Sequence, residues 1–385
     1  MNKRTHLTVA EYFAGIGLVR MGLEPDGWQV VWANDISHKK YEMYLGFFPD
    51  ADRHYVVEDI FNIKPSDVPA TTLATCSFPC INLSLAGKME GINGKHSSAF
   101  WCFVHILSEQ AKMGCAPPLL LVENVPGWLS SNRGADFRVT VQSLNNIGYS
   151  CDVFTLDARR FTPQSRLRVF LVGSLHARTT RDSIKSIINR PRSLLSNRLK
   201  KSILENEDLR WFYIDLPEPP PLRNTGLSEV IEKLPDNDER WWSADEVSRH
   251  LEMMAPSHRE RVENLIRQNF VTYRTFYRRI RNGKQRAEVR QDDIAGCLRT
   301  AVGGSAKQFV LEAGFGRIRM RTMTPREYAR LQGVPDDYHI NSNGTQALTG
   351  FGDAVCVPVI SWISKHALVP LAKEISLTLP ECYER

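Results

Sequence analysis

The chain has 385 residues, a formal net charge of +6 and 24% charged residues, proportions ordinary for a globular protein that folds in water. That length buries a large core and suits two or three domains, and no apolar run is long enough to span a bilayer. Glu11 interrupts the apolar stretch that follows Lys3 and Arg4, which argues against a secretory signal, and eight cysteines with no CxxC pair indicate neither a zinc site nor a disulfide framework.

Through the first half, short apolar runs alternate with helix-length segments, the pattern of a parallel sheet with crossover helices. Strands are expected at Leu7–Tyr12, Gln29–Asn34, Leu73–Cys76, Leu119–Val122, Cys151–Leu156 and Arg168–Val172. Amphipathic helices are expected at Lys39–Phe47, Ala99–Met113 and Phe137–Ile147. Beyond Gly173 the character changes: His176–Arg249 is polar and is broken by Pro217, Pro219, Pro220 and Pro221. Thr272–Arg290 then carries Arg274, Arg278, Arg279, Arg281, Lys284, Arg286 and Arg290 among Tyr273, Phe276 and Tyr277. Such a stretch suits phosphate neutralisation with stacking residues beside it, and equally a solvated basic helix. A turn at Gly303–Gly304, a helix at Pro325–Gln332 and a last helix-length segment from Ala354 to Ala367 complete the chain.

Several expected strands end in polar or glycine-containing loops, at Gly15–Gly17, Asp35, Pro79–Cys80 and Glu123–Asn124. In doubly wound sheets ligands bind where such strand ends open. Glycines after the first strand let a ligand approach the backbone, and Asp35 and Asp59 suit a nucleoside cofactor, nicotinamide types included. A thiol on a rigid Pro79–Cys80 loop, an acid leaving a buried strand at Glu123, and Arg166 and Arg168 alternating along another strand suit attack on an electron-poor ring.

These features in this order make the chain resemble the DNA (cytosine-5) methyltransferases. The resemblance lies in FAGIG, Pro79–Cys80, Glu123-Asn124-Val125, the Gln-x-Arg-x-Arg run from Gln164, TPREYARLQGVPDDY from Thr324, and Gly352-Asp-Ala-Val355. It implies an α/β fold, a doubly wound Rossmann-like methyltransferase sheet with a second, smaller DNA-recognition domain. The implied division is 1–175 catalytic, 176–313 target recognition and 314–385 a return segment. The resemblance further implies Cys80, Glu123, Arg166 and Arg168 as catalytic residues. S-adenosylmethionine would lie against Phe13, Gly15, Gly17, Asp35, Asp59, Pro79, Asp353 and Val355, with no metal. Ile81, Leu18, Ala86 and Asp353 depart from the residues common at those family positions.

DNA contacts are expected at Arg274, Arg278, Arg281, Ser305, Lys307 and Gln308, arginine and lysine favouring guanine or phosphate and glutamine favouring adenine. The expected setting is the bacterial or phage-infected cytoplasm, near the nucleoid, as a monomer. Double-stranded DNA is the expected partner, with a cognate restriction or defence system and no membrane. Competing readings are the same chemistry on a tRNA, a catalytically silent DNA-binding relative, and a nicotinamide-dependent oxidoreductase, which leaves Pro79–Cys80 and the basic stretch unexplained.

Overall fold

Seven strands form the first sheet of the computed structural model, which describes residues 7–78, 99–177, 179–180, 182–300, 307–340 and 344–376. They are β1 Thr8–Tyr12, β2 Gln29–Asp35, β3 Tyr55–Val57, β4 Leu73–Cys76, β5 Leu119–Asn124, β6 Ser150–Asp157 and β7 Leu167–Ser174, in the order β3-β2-β1-β4-β5-β7-β6. The pairs from β3 to β5 are parallel, and β7 runs antiparallel to β5. Leu119, Leu120, Leu121 and Val122 are all buried, as a strand covered on both faces must be. That is why an unbroken apolar run marks it. Three-residue β3 is too short to show a period, and it is the strand the sequence did not reveal.

Helices α1 Leu18–Leu23, α2 His38–Phe47, α3 Ala99–Lys112 and α4 Ala135–Ile147 fall between the strands. Helix α3 buries Phe100, Phe103, Ile106 and Leu107, spaced three and four apart, in the same core as Val122 and Trp128. Strand order reverses between β1 and β4, so the carboxyl ends of β1, β2, β4 and β5 share the edge where a doubly wound sheet opens a crevice.

The chain divides into two compact units, Met1–Leu156 with Leu167–Pro219 and Val359–Arg385, and Asp157–Arg166 with Pro220–Pro358. These limits differ from 176 and 313 for a physical reason. Ile187, Leu195, Leu199, Ile203 and Trp211 are buried in the core of the first sheet. Arg190 also drives a buried fork onto β6, with Nη1 donating to Asp152 Oδ1 at 2.6 Å and Nη2 to Oδ2 and to the Ile214 carbonyl, both at 2.5 Å.

The second unit holds a four-stranded antiparallel sheet, β8 Thr272–Arg281, β9 Lys284–Val289, β10 Phe309–Gly314 and β11 Arg317–Thr322, ordered β11-β10-β8-β9. Phe276, Phe309, Leu311 and Met320 pack there with Val247, Val262 and Leu265 from two helices. The basic stretch is therefore a hairpin and not a helix, turned by Asn282 at φ 50° and Gly283 at φ 73°, the pair a type I′ turn demands.

The helical stretch Gly344–Ile375 spans 32 residues with a window of mean hydropathy 1.5, long and apolar enough to cross a bilayer where the sequence showed no such run. Over half of that window, 56%, is buried inside the protein. Phe351 in one unit, and Ile363 and Leu368 in the other, are core residues. Replacing Arg190 with Met strands the Asp152 carboxylate in the core. The expected loss is about 3–5 kcal/mol of stability in urea unfolding, whereas Arg190→Met with Asp152→Leu recovers most of it.

Candidate active site

After β1 the backbone turns through Phe13, Gly15 and Gly17 at φ 56°, 58° and 83°. A side chain at Gly17 would meet Phe48 Cε2 at 2.7 Å and Tyr44 Cδ2 at 2.8 Å, so only glycine fits there. Asp35, at the end of β2, holds this turn. Its Oδ2 accepts from Gly15 N at 3.1 Å and its Oδ1 from Ser37 N at 2.9 Å. Tyr55 Oη donates to the Gly15 carbonyl at 3.0 Å. A carboxylate has about four acceptor positions, so two remain for ligand hydroxyls. Asp59 caps the next turn, accepting from Phe61 N at 3.1 Å.

Two residues at this edge escaped the sequence reading. Ile36 is 67% exposed and Phe61 42% exposed, each one or two residues beyond an acid. Apolar side chains left bare beside Asp35 and Asp59 suit the faces of a flat ring. The signal was an apolar residue just past each acid.

At the β4 end, buried Phe78 leads to Pro79 and Cys80, which lie outside the described residues, as do Ile81, Ala86 and Ser305. Asn124 secures that strand end: its Nδ2 donates to the Phe78 carbonyl at 3.4 Å while its Oδ1 accepts from Val125 N at 2.8 Å. Beside it, Arg168 Nε lies 2.9 Å from Glu123 Oε1, each side chain only 13% exposed. Glu123 pairs in register with Phe170, two residues from Arg168, so the two side chains share one sheet face. In this mostly desolvated pair the arginine fixes where the carboxyl points.

Arg166 does something else. It belongs to the second unit, is 3% exposed, and donates to the Leu298 carbonyl at 2.9 Å, to Gly352 O at 3.3 Å and to Ala354 O at 2.7 Å. It clasps the 352–354 turn to the 297–300 segment. Gly352 has no room for a side chain there, because the Arg299 carbonyl would lie 2.2 Å from it. Asp353 accepts from Thr300 Oγ1 at 2.5 Å, and Val355 is buried.

The expected DNA contacts divide. Arg274 is turned inward, donating to Thr272 Oγ1 at 2.8 Å and Tyr273 O at 2.6 Å with Asp293 3.5 Å away. Arg278 lies over the Phe309 ring, and Gln308 is buried at 4% exposure. Lys307 is half-buried. Arg281 stands on the exposed hairpin, paired with Glu288 at 2.8 Å, and shares that face with Arg279, Lys284 and Arg286 of the same basic stretch.

The fold and this edge place the chain among the Rossmann-like methyltransferases. Which of them follows from sequence: the profile of the C-5 cytosine-specific DNA methylases matches residues 7–368, and the chain belongs to that family. It is 25% identical over 380 residues to Type II methyltransferase M.SsoII of Shigella sonnei, covering 96% of this chain and 82% of the relative. Type II methyltransferase M.HhaI of Haemophilus parahaemolyticus is 24% identical over 365 residues, 94% of each chain. In fold, the crystal structure of S. pombe Dnmt2 methyltransferase superposes with a TM-score of 0.59 at 17% identity, over 95% of this chain and 99% of that one.

Under the glycine turn, Glu11 of β1 is 1% exposed, and burial pushes its carboxyl up to about 8 against the pull of Arg20. A carboxyl raised above its unfolded value favours the fold fully only below pH ~4.5, and that contribution drains away as pH rises toward 8. Glu11→Gln is therefore expected to stabilise the protein by about 3 kcal/mol at pH ~7 and to be near neutral at pH ~4. Denaturant unfolding at the two pH values measures it.

Proposed function

We propose that the chain transfers a methyl group from S-adenosylmethionine to C5 of a cytosine flipped out of a specific duplex DNA sequence, through a covalent bond from Cys80 to C6. The observation that carries this reading is the Glu123–Arg168 pair at the β5 end, with Asn124 securing the strand that leads to Pro79 and Cys80. Membership in the C-5 cytosine-specific methylases supports the reaction class.

The residues that line the cofactor edge fit a nucleoside bearing a methyl donor. Asp35 has acceptor positions for ribose hydroxyls, Asp59 for an amine, Ile36 and Phe61 flank a ring, and the Phe13–Gly17 turn admits the amino-acid end. When bound, S-adenosylmethionine supplies an electrophilic methyl group. The protein's part begins with the Cys80 thiolate forming a bond to C6. Glu123 donates a hydrogen bond or proton at N3, absorbing the charge that builds on the ring, while Arg168 orients Glu123 and faces O2. The C5 carbon would then bond to the methyl group as the sulfonium–methyl bond breaks, leaving S-adenosylhomocysteine. Loss of the C5 proton to a base and expulsion of the Cys80 thiolate restore the aromatic ring. Arg166 acts through the backbone, holding the 297–300 and 352–354 segments, the second of which carries Asp353. A cytosine must leave the stack to reach such a site.

The hairpin supports a polyanionic partner. Arg279 stands directly across from Arg286, and Arg281 across from Lys284, all on one face of an edge ribbon. Arg281 is held by Glu288 at 2.8 Å, whereas Arg279 and Arg286 stand opposed as like charges, which weakens a sheet and which a phosphate would relieve. Ile280 at the tip, 73% exposed, is apolar where a solvated face has no use for it. Similarity to type II methyltransferases supports a place beside a restriction or defence system.

Two experiments check this. A duplex pool with 5-fluorocytosine, incubated with protein and S-adenosylmethionine, should give a covalent band on a denaturing gel that Cys80→Ser abolishes; a band on substituted RNA alone would reassign the substrate, and none on either would sink the mechanism. Arg279→Gln with Arg286→Gln should weaken duplex binding and lower its salt slope by about two, with stability unchanged within about 0.5 kcal/mol. Lost stability with unaltered binding would make those arginines structural.

A further inference from the structure

Arg20 lies on α1, three residues past Gly17, and is 6% exposed. Its Nε donates to Glu24 Oε1 at 2.6 Å, and its Nη2 to Asp50 Oδ1 at 2.9 Å and Oδ2 at 3.0 Å. Its Nη1 reaches Tyr44 Oη at 3.5 Å and His54 Nε2 at 3.2 Å. The guanidinium plane covers the Phe48 ring, 4.0 Å from its centroid. One side chain thus joins α1, the end of α2 and the run from Asp50 to His54.

Tyr44 and Phe48, which hold that guanidinium, are the two rings that press against Gly17. Tyr55 follows His54, meets the Tyr44 ring edge-on at 4.8 Å, and donates to the Gly15 carbonyl. The wall behind the glycine turn is therefore built around Arg20. An arginine carries five donors in a rigid fork, and lysine cannot reproduce a fork that binds two carboxylates while stacking on a ring.

We infer that Arg20 is a positioning residue for the cofactor, holding Tyr44, Phe48 and Tyr55 so that the Phe13–Gly17 turn keeps its ligand-accepting shape, and that His54 must be neutral for it to do so. This rests on the S-adenosylmethionine reading. Neutral His54 accepts from Arg20; a protonated one would set a second cation against the guanidinium. The groups facing His54 are Arg20 from α1, Tyr44 from α2, and Asp50 and Asp52 ahead of β3. Glu11 and Glu24 face the Arg20–Tyr44 side of the cluster. Burial, with Arg20 beside it, holds the His54 imidazole below the usual histidine range, so the neutral form is the folded one. The arrangement is therefore kept through the ordinary imidazole range and is lost only at lower pH, as pH falls through the lowered His54 value.

The test is calorimetric binding of S-adenosylhomocysteine to the full chain, with steady-state methylation kinetics, well below the unfolding temperature of every variant. Arg20→Lys should raise Kd and the cofactor KM together by about tenfold or more, leaving kcat at saturating cofactor within about twofold and duplex affinity unaltered. Asp50→Asn, at a half-exposed partner, should shift Kd the same way by a smaller factor, and serves if Arg20→Lys does not fold. Wild-type affinity should be level between about pH 7.5 and about pH 6.5 and fall only below that, and His54→Gln should flatten the fall whereas Glu11→Gln should not. A folded Arg20→Lys or Asp50→Asn protein with wild-type Kd overturns the inference, as does a loss in kcat at unchanged KM. A wild type that binds neither S-adenosylhomocysteine nor S-adenosylmethionine removes the cofactor reading itself and the inference with it.

Discussion

Parallel pairing delivers strand ends to one edge, and the first unit depends on it. The β1, β2, β4 and β5 strands share direction and neighbour one another, so Gly15, Asp35, Phe78 and Glu123 emerge side by side although more than a hundred residues separate the first from the last. Hydrogen bonds then cross between those ends: Asp35 to Gly15, Asn34 to the carbonyls of Val56 and Glu58, Asn124 to Phe78. A one-residue slip in any strand would turn each of these groups to the opposite face.

The edge is expensive to build. Phe13 adopts a positive φ that a residue with a side chain rarely takes, and Gly17 leaves no space for a methyl group. Glu11 and Arg20 are buried directly behind it, and Glu123 and Arg168 are mostly desolvated. Strain and buried charge of this kind concentrate where a protein binds or reacts, and here they surround one turn and one strand end. Elsewhere in the first unit the buried Arg190–Asp152 pair stands within apolar packing.

Legibility in the sequence followed the strength of the local signal. Six strands of the first sheet were readable because strands buried on both faces are largely apolar runs, and the acids and glycines at their ends stood out by contrast. Three failures have physical causes. Arg166 and Arg168 were paired by strand alternation, yet β7 begins at Leu167, so alternation does not apply to Arg166. The basic stretch carries Asn-Gly, a strong hairpin signal, but its charges masked the alternation; read as a strand, it would have separated Arg274 and Arg278 on one parity from Arg279 and Arg281 on the other. The 176–219 segment looked like part of a variable domain because its core residues are sparse, and only packing shows that they complete the first core.

On the proposed reading, the Glu123–Arg168 pair activates a cytosine ring for methylation at carbon. The most direct measurement is the identity of the methylated base after the protein has acted on a duplex pool with isotopically labelled S-adenosylmethionine, followed by digestion to nucleosides and mass spectrometry. The account expects label in 5-methyldeoxycytidine alone, and its loss in Glu123→Gln with cofactor and duplex binding retained. Label on an exocyclic nitrogen, or undiminished 5-methyldeoxycytidine from the Glu123→Gln protein, would contradict it.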